Sequence, residues 1–499
     1  MEMRRSVLVM PVVLLLGALM GCGGAKFTGT LCESCGNGPT PPAGGAVVTS
    51  VSPASVAAGG PAFTLTVTGK NFAQGMTVGG IGTTSTTYVS STEMQAQVPA
   101  SAIANPGSLT IIAVTSPPST LNFGASFTIT DAPLSGNSGF TVSNVAIEAN
   151  DMVWDPTTQQ IYLSAPSSSA TNANTITALD PATGQLGISQ AAGSEPDKLA
   201  VSGDGSYLYA GLDSAGSVQR FMLPGLGKDI AISLGSDPNL GPYDAIDLEV
   251  APGSPHTIAV VRGILPTPST LDWGGVVIYD DAVARPTSVP GGYYLIPGTD
   301  ILLGNILAIQ WKPGDSTIYG SGDNLDILSV NSSGVQATNA YHGGLGSDLH
   351  YDATTGYLYS SVDGSSVIDP STGKAVGAFP IRAADGGYTF IGVMVPDGAL
   401  NIAYYLGQGD SEQGTQEYTL EAFDMTHFTF LGAVSIPNVV GAPVKLIRWG
   451  TNGLAFLTQT IDTSSGTAAP VPGDGVYLIS GTFVTDPAAQ ARKSVPTAH

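Results

Sequence analysis

A short pattern of apolar residues, repeated seven times between residues 151 and 485, constrains the fold of this chain more than any other feature. Each repeat has apolar residues at i and i+2, a turn rich in Asp, Pro, Gly, Ser or Asn, and a second apolar run. The i, i+2 spacing places both side chains on one face of a strand, and the turn returns the chain antiparallel. The seven pairs are Met152/Trp154, Leu199/Val201, Leu248/Val250, Ile309/Trp311, Leu349/Tyr351, Val393/Val395 and Ile447/Trp449. Each repeat is therefore predicted to begin with a β-hairpin.

The spacing of the repeats indicates how they assemble. A third apolar run usually follows each hairpin, as in Ile176 to Leu179. Repeats of about 40 to 50 residues with three or four strands each are typical of β-propeller blades. The sequence therefore predicts an all-β chain in which residues 140–485 form a seven-bladed β-propeller.

Two motifs within these repeats resemble the YVTN-type or YncE-like propellers. They are Val201-Ser-Gly-Asp-Gly-Ser-Tyr-Leu-Tyr209 and the related strings Asp180-Pro-Ala-Thr-Gly184 and Asp369-Pro-Ser-Thr-Gly373. The resemblance implies seven blades and a ring closed by an N-terminal strand in the last blade, for which Phe140 to Ile147 has strand character. The Tyr-Val-Thr-Asn string that names the family is absent. The resemblance therefore implies a fold and not an activity.

Residues 1–21 have the parts of a bacterial export signal. Arg4 and Arg5 precede an apolar run that is too short to span a membrane. The string Leu19-Met-Gly-Cys22 resembles a lipobox, in which the Cys is lipidated. We therefore expect acyl chains on Cys22 and, since Gly23 follows it, a lipoprotein of the outer membrane.

Residues 22–46 are rich in Gly and Pro and are expected to form a flexible tether. The tether contains Cys32-Glu-Ser-Cys35, whose spacing suits a redox pair, half of a zinc site or a local disulfide. No second Cys pair accompanies it, so we expect a disulfide between Cys32 and Cys35 in an exported protein.

Residues 47–130 have short alternating strands, such as Phe63, Leu65 and Val67 with Thr between them, which predict a small immunoglobulin-like sandwich. The strings Val51-Ser-Pro-Ala-Ser-Val-Ala-Ala-Gly-Gly60 and Phe63-Thr-Leu-Thr-Val-Thr-Gly-Lys-Asn-Phe72 resemble an IPT/TIG domain. In that family the domain is chiefly a spacer or binding module, and its pattern has no catalytic residue.

Composition limits the partners. The chain has 38 Asp and Glu against 16 Lys and Arg, a formal net charge of −22. Such a surface repels nucleic acid and favours cations or basic partners, or it only keeps the protein soluble. We expect a monomer held at the membrane by its lipid anchor, with an envelope protein or glycan as partner and a disordered tail at residues 486–499.

Polar residues at the starts of the innermost strands are the candidate site. Two positions of each repeat are relevant: the residue just before the apolar pair and the residue between its two members. The charged residues and the His selected at these positions are Asp151, Asp247, Glu249, Asp348, His350 and Arg448. Inner strands surround the channel of a propeller, so these side chains are predicted to converge at one channel mouth. There they would bind a polar ligand or a cation, or they would only connect neighbouring blades. We expect no dedicated metal site or other cofactor.

Two functions remain open. The first is a lipid-anchored binding or scaffolding protein whose propeller presents a ligand- or protein-binding face. The second is a propeller-type hydrolase or lactonase that uses His350, Glu249 and Arg448. No nucleophile elbow, His-Glu-x-x-His motif or phosphate-binding loop occurs. The binding protein is therefore the favoured hypothesis.

Overall fold

The computed structural model describes residues 45–57, 62–103, 107–114, 124–130, 140–213, 215–267, 270–292, 294–296, 301–343, 345–361, 366–381, 392–408, 418–462, 467–469 and 474–488. The predicted signal, Cys22, Cys32, Cys35 and residues 489–499 of the predicted tail lie outside these ranges. Every described residue belongs to one compact unit, Gly45–His499. No helix in the described ranges is long and apolar enough to cross a membrane.

Residues 47–130 form a sandwich of two four-stranded sheets. The first sheet contains, in spatial order, Val47–Ser52, Phe63–Lys70, Glu93–Val98 and Ser85–Ser90. The second contains Ser55–Ala57, Ala125–Thr130, Gly107–Val114 and Thr77–Gly79, and a 3-10 helix spans Ala100–Ile103. Leu65, Val67, Met94 and Phe127 are fully buried between the sheets. The alternation of apolar residues with Thr therefore produces the predicted immunoglobulin-like core.

Seven antiparallel sheets follow in the described part of residues 140–485 and form blades 1 to 7 of a propeller; six have four strands, and the sheet of blade 7 has a fifth strand beside its main four. Blades 1 to 4 contain, from the first strand to the fourth, Asp151–Asp155, Gln160–Ala165, Thr175–Asp180 and Gln185–Ala191; Pro196–Val201, Tyr207–Leu212, Ser217–Met222 and Gly227–Ser233; Asp244–Val250, Thr257–Thr267, Thr270–Asp280 and Val283–Ala284; and Ile306–Trp311, Thr317–Gly322, Asn324–Asn331 and Gly334–His342. Blades 5 to 7 contain Leu349–Asp352, Tyr357–Ser360, Ser366–Asp369 and Lys374–Ala378; Gly392–Asp397, Ile402–Gln408, Tyr418–Asp424 and Thr429–Ile436; and Ala442–Trp449, Gly453–Asp462, Val476–Gly481 and Phe140–Val145.

The ring closes as the sequence predicts. Phe140–Val145 pairs with Val476–Gly481 and so supplies the outermost strand of blade 7 from the N-terminal side of blade 1. The first strands of successive blades contact one another in order, and the first strand of blade 7 contacts that of blade 1. The first strands therefore surround the central axis, and closure gives both ends of the ring a neighbouring blade.

Apolar side chains fill the interfaces between neighbouring blades. Ile309, Ile318 and Leu328 of blade 4, for example, pack with Val261 and Ile278 of blade 3, and all five are nearly or fully buried. Two further hairpins, Ser236–Asp237 with Gly241–Pro242 and Tyr294–Leu295 with Leu302–Leu303, extend connections between blades, and Thr467–Ala469 pairs with the second strand of blade 7. A short helix, Thr482–Thr485, follows the last strand and was not predicted.

Candidate functional site

The two faces of the propeller differ in the length of their connections. Turns between first and second strands and between third and fourth strands lie at one end, which we call the short-turn face; examples are residues 156–159 and 398–401. The other connections lie at the opposite end, the long-loop face, and include residues 234–243 and the described parts of residues 285–305, which are 285–292, 294–296 and 301–305. Since binding residues are commonly carried on long loops held by a rigid scaffold, the long-loop face is the candidate functional face.

Asp151 begins the first strand of blade 1 at this face and connects three blades. Its Oδ2 accepts a hydrogen bond from the Leu199 N–H of blade 2 at 2.8 Å. Its Oδ1 accepts from the Met152 N–H at 2.8 Å and from Lys445 Nζ of blade 7 at 2.5 Å. An innermost strand has a free edge toward the axis, so a backbone N–H there needs a partner from outside the sheet. Asp151 supplies that partner.

The same arrangement recurs in blades 3 and 5. Asp247 of blade 3 accepts from the Ile309 N–H of blade 4 at 2.7 Å. Asp348 of blade 5 accepts from the Met394 N–H of blade 6 at 3.2 Å. Each carboxylate thus satisfies a backbone donor of the next blade, which is the connecting role that the sequence left open for these residues.

A second set of polar side chains lies two residues further along the first strands. Glu249 Oε1 accepts from Gln310 Nε2 at 2.7 Å, and Gln310 Oε1 accepts from the Tyr351 N–H at 3.4 Å. His350 Nε2 lies 2.9 Å from Asp348 Oδ1. Blades 3, 4 and 5 therefore form a polar side of the channel.

Burial changes the protonation of the carboxyls in blade 3. Burial raises the pKa of Asp247 to about 6, although the Ile309 N–H and Lys445 oppose this rise. Burial, with the negative charge of Asp247, raises the pKa of Glu249 to about 8. Burial also opposes ionisation of Asp348, but the adjacent His350 and the hydrogen bonds from Ser361 and the Met394 N–H together hold the pKa of Asp348 below its ordinary value. Glu249 is therefore mostly neutral at neutral pH, whereas Asp348 is a carboxylate.

Arg448, also a predicted site residue, makes its polar contacts toward the short-turn face and not with the other predicted site residues. Its Nε donates to Asp397 Oδ2 of blade 6 at 2.8 Å, and Nη2 donates to the Thr451 carbonyl at 3.1 Å. Nη1 donates to the Gly453 carbonyl. Thr451 and Gly453 belong to the turn after the first strand of blade 7, so Arg448 connects blades 6 and 7 toward the short-turn face.

Two lysines at the channel were not among the predicted site residues. Lys445 bonds Asp151, and Lys198 Nζ lies 3.3 Å from Asp197 of the same strand. Attraction to Asp197 raises the pKa of Lys198, and burial raises that of Asp197 despite Lys198. A β-bulge between Pro443 and Lys445 interrupts the register of the first strand of blade 7 beside Lys445.

The arrangement can hydrogen-bond a polar ligand on one side of the channel. Gln310 offers an amide, Glu249 a largely neutral carboxyl and His350 an imidazole oriented by Asp348. Val153, Ala200 and Met394 occupy the corresponding positions of blades 1, 2 and 6. The described residues contain no group of three or more His, Cys, Asp or Glu side chains arranged to hold a metal ion.

Comparison with known proteins found one family model and several similar solved structures. Residues 46–131 match the family model of the IPT/TIG domain, as predicted. The chain is similar to the WD40 repeats of RRP9 (12% identity, 70% of this chain and 99% of that chain covered, TM-score 0.48). It is also similar to the hydrazine synthase of Kuenenia stuttgartiensis (13% identity, 66% and 96% covered, TM-score 0.46) and to dihydro-heme d1 dehydrogenase NirN in complex with DHE (12% identity, 77% and 74% covered, TM-score 0.43). No curated protein matches the sequence.

The fold defines the class: an all-β protein with an immunoglobulin-like sandwich followed by a seven-bladed propeller. Within that class, this chain carries an IPT/TIG domain at residues 46–131.

Proposed function

We propose that the chain is a binding or scaffolding protein of the cell envelope whose propeller presents its ligand- or protein-binding surface at the long-loop face. The lipobox-like string ending in Cys22 supports a lipid anchor, and the IPT/TIG domain then separates the propeller from the membrane. The outer membrane and the YVTN-type family remain part of this proposal.

The difference between the two faces carries the proposal. Turns at the short-turn face are only long enough to join adjacent strands, while residues 234–243 and 285–305 at the long-loop face carry additional hairpins. Leu240 and Leu295 on these hairpins are 43% and 55% exposed. Additional chain that does not contribute to blade packing is typical of a recognition surface.

A site-specific crosslinking experiment tests the proposal. A photoreactive residue is placed at Leu240 or Leu295 in the full chain, expressed in envelope-containing cells. Matched controls carry the same residue at Val283 or Met222, which are exposed apolar positions at or beside turns of the short-turn face. Discrete adducts are expected from the first pair only. Adducts from the control pair alone, or none from either pair, contradict the proposal.

One observation favours a hydrolase as the second candidate. His350 is oriented by Asp348 at 2.9 Å, and Glu249 lies in the same channel with a pKa near 8. These are the properties of a general base and a general acid. A panel of ester and lactone substrates is compared between wild type and His350→Ala. Turnover that disappears in the variant establishes the enzyme, and equal or absent turnover removes this candidate.

A further inference from the structure

A buried carboxyl without a partner lies between blades 3 and 4. Asp326, in the third strand of blade 4, is 0% exposed, and neither of its carboxylate oxygens has a hydrogen-bond partner among the described residues. Its cross-strand neighbours are Gly320 and Ala340, and Ala340 packs against the apolar cluster between the two blades. Cross-strand neighbours share a face, so Asp326 points into this cluster, which we call the 3–4 interface.

The surroundings of Asp326 offer no compensation for a negative charge. Ile306 fills the space above Gly320, and the facing residues of blade 3 are apolar, including Val261 and Val276. Asp323, in the adjoining turn, has the same sign of charge and raises the pKa of Asp326 further after burial has raised it; together they bring it to about 7. An ionised carboxylate here would lack both water and a hydrogen-bond donor.

Arg262 and Tyr319, on the neighbouring strands, point away from Asp326. Arg262 of blade 3 donates through Nη1 to the Leu234 carbonyl and through Nη2 to the Gly274 carbonyl, on the side of blade 2. Tyr319 is the cross-strand neighbour of Ile327 and lies on the opposite face of blade 4. His342 ends the fourth strand of blade 4, paired with Asn324.

The channel end of the same interface is crossed by two more carboxyls. Asp247 bonds the Ile309 N–H, and Glu249 bonds the Gln310 side chain. Lys445 lowers the pKa of both carboxyls and Lys198 lowers that of Asp247, but burial prevails. Three carboxyls with raised pKa values, those of Asp247, Glu249 and Asp326, therefore lie along the 3–4 interface, from the channel to the third strand of blade 4.

We propose that the 3–4 interface is a proton-dependent element of the propeller, closed while Asp326 and Glu249 are protonated and loosened when they ionise, so that protons regulate the channel site. Ionisation places a charge in the apolar cluster at Asp326 and a second charge beside Asp247 at Glu249. Water then reaches the interface through the crevice lined by Trp273, Gly291 and Asn305, where Asn305 Oδ1 is also without a partner. The regulatory part rests on the proposed function.

Hydrogen–deuterium exchange of the full chain tests the interface without knowledge of any ligand. Exchange of Thr317–Gly322 and Asn324–Asn331 is compared between about pH 5 and about pH 9, after correction for the intrinsic rate. Gln160–Ala165 and Thr175–Asp180 of blade 1 serve as the internal reference. Protection in blade 4 is expected to fall about tenfold more than in blade 1 as the pH rises. An equal change in both blades, or none, overturns the proposal.

Two variants locate the effect. Asp326→Asn removes the titration at the buried position, and Glu249→Gln removes it at the channel. Each is expected to reduce the pH dependence of blade 4 exchange at least threefold, while Asp204→Asn in a turn of blade 2 leaves it unchanged. If Asp326→Asn does not fold, the exchange of Glu249→Gln and the comparison of blades 4 and 1 in the wild type still test the proposal. Crosslinking from Leu240 and Leu295 tests the binding function separately, so failure of one proposal is distinguishable from failure of the other.

Discussion

Removal of the Asp151 carboxylate is expected to weaken closure of the ring. Asp151 is buried and accepts hydrogen bonds from the Leu199 N–H of blade 2 and from Lys445 of blade 7. Asp151→Ala leaves the Leu199 N–H without this acceptor, which costs about 1–3 kcal/mol. The Lys445 side chain is 37% exposed, so its ion pair adds only up to about 1 kcal/mol. We therefore expect a loss of about 1–4 kcal/mol.

A double-mutant cycle isolates the ion pair within that total. Asp151→Asn and Lys445→Met are made singly and together, and the free energy of unfolding is measured in urea by tryptophan fluorescence. Trp154 and Trp449 lie 6.4 Å apart between ring centroids and report on the interface of blades 7 and 1. The expected coupling is about 1 kcal/mol.

The matched control is a surface ion pair of similar length. Lys312 Nζ lies 2.9 Å from Asp315 Oδ2 in a turn of blade 4, with both side chains exposed. The cycle Lys312→Met with Asp315→Asn is expected to give a coupling below about 0.5 kcal/mol. Equal coupling in the two cycles, or additive effects at Asp151 and Lys445, would refute the reasoning that burial at the ring closure strengthens the pair.

Three further outcomes are expected. Because the folded state raises the pKa of Asp326 to about 7, stabilisation by its proton is complete below about pH 4 and is lost as the pH rises to about 7. Asp326→Asn should flatten this dependence of the free energy of unfolding on pH, measured by urea titration. The pKa of Asp326 is raised by about three pH units, so the expected change in the free energy of unfolding is of the order of 4 kcal/mol. An unchanged pH dependence in the variant would show that the carboxyl is not the cause. Gly275→Ala should lower the thermal midpoint, since φ is +76° and a Cβ would lie 2.0 Å from the Val289 carbonyl oxygen, and an unchanged midpoint would exclude this close approach. Cys22→Ser should abolish incorporation of labelled fatty acid, and retained label would place the lipid elsewhere.

Much of the fold follows from local pattern. The i, i+2 apolar pairs and the Asp, Pro and Gly turns specify hairpins because strand geometry repeats every two residues and a tight turn needs those residues. Seven such pairs gave seven blades. The hairpins depend on neighbours in sequence, so the sequence is sufficient to predict them. The closing strand of blade 7, Phe140–Val145, was implied by the resemblance to YVTN-type propellers together with the strand character of Phe140 to Ile147.

The candidate site was only partly predictable. Asp151, Asp247 and Asp348 stand out because they recur at one position of the repeat, yet their inter-blade acceptor role is visible only once the blades are assembled. Arg448 occupies the position of Glu249 and His350 in the repeat but pairs with Asp397, since its guanidinium reaches the carbonyls of its own turn and a carboxylate of the preceding blade. Repeat alignment gives the position of a Cα and not the direction of a long side chain.

The sequence by itself determined a ring of antiparallel blades behind an immunoglobulin-like domain. Only the tertiary structure decided that Lys445 meets Asp151 across 294 residues, and that Asp326 is enclosed between two blades without a partner. Hydrophobic periodicity depends on residues that are close in sequence, whereas desolvation and charge pairing depend on residues that are distant in the chain. The protonation states of Asp326 and Glu249 are therefore properties of the folded ring.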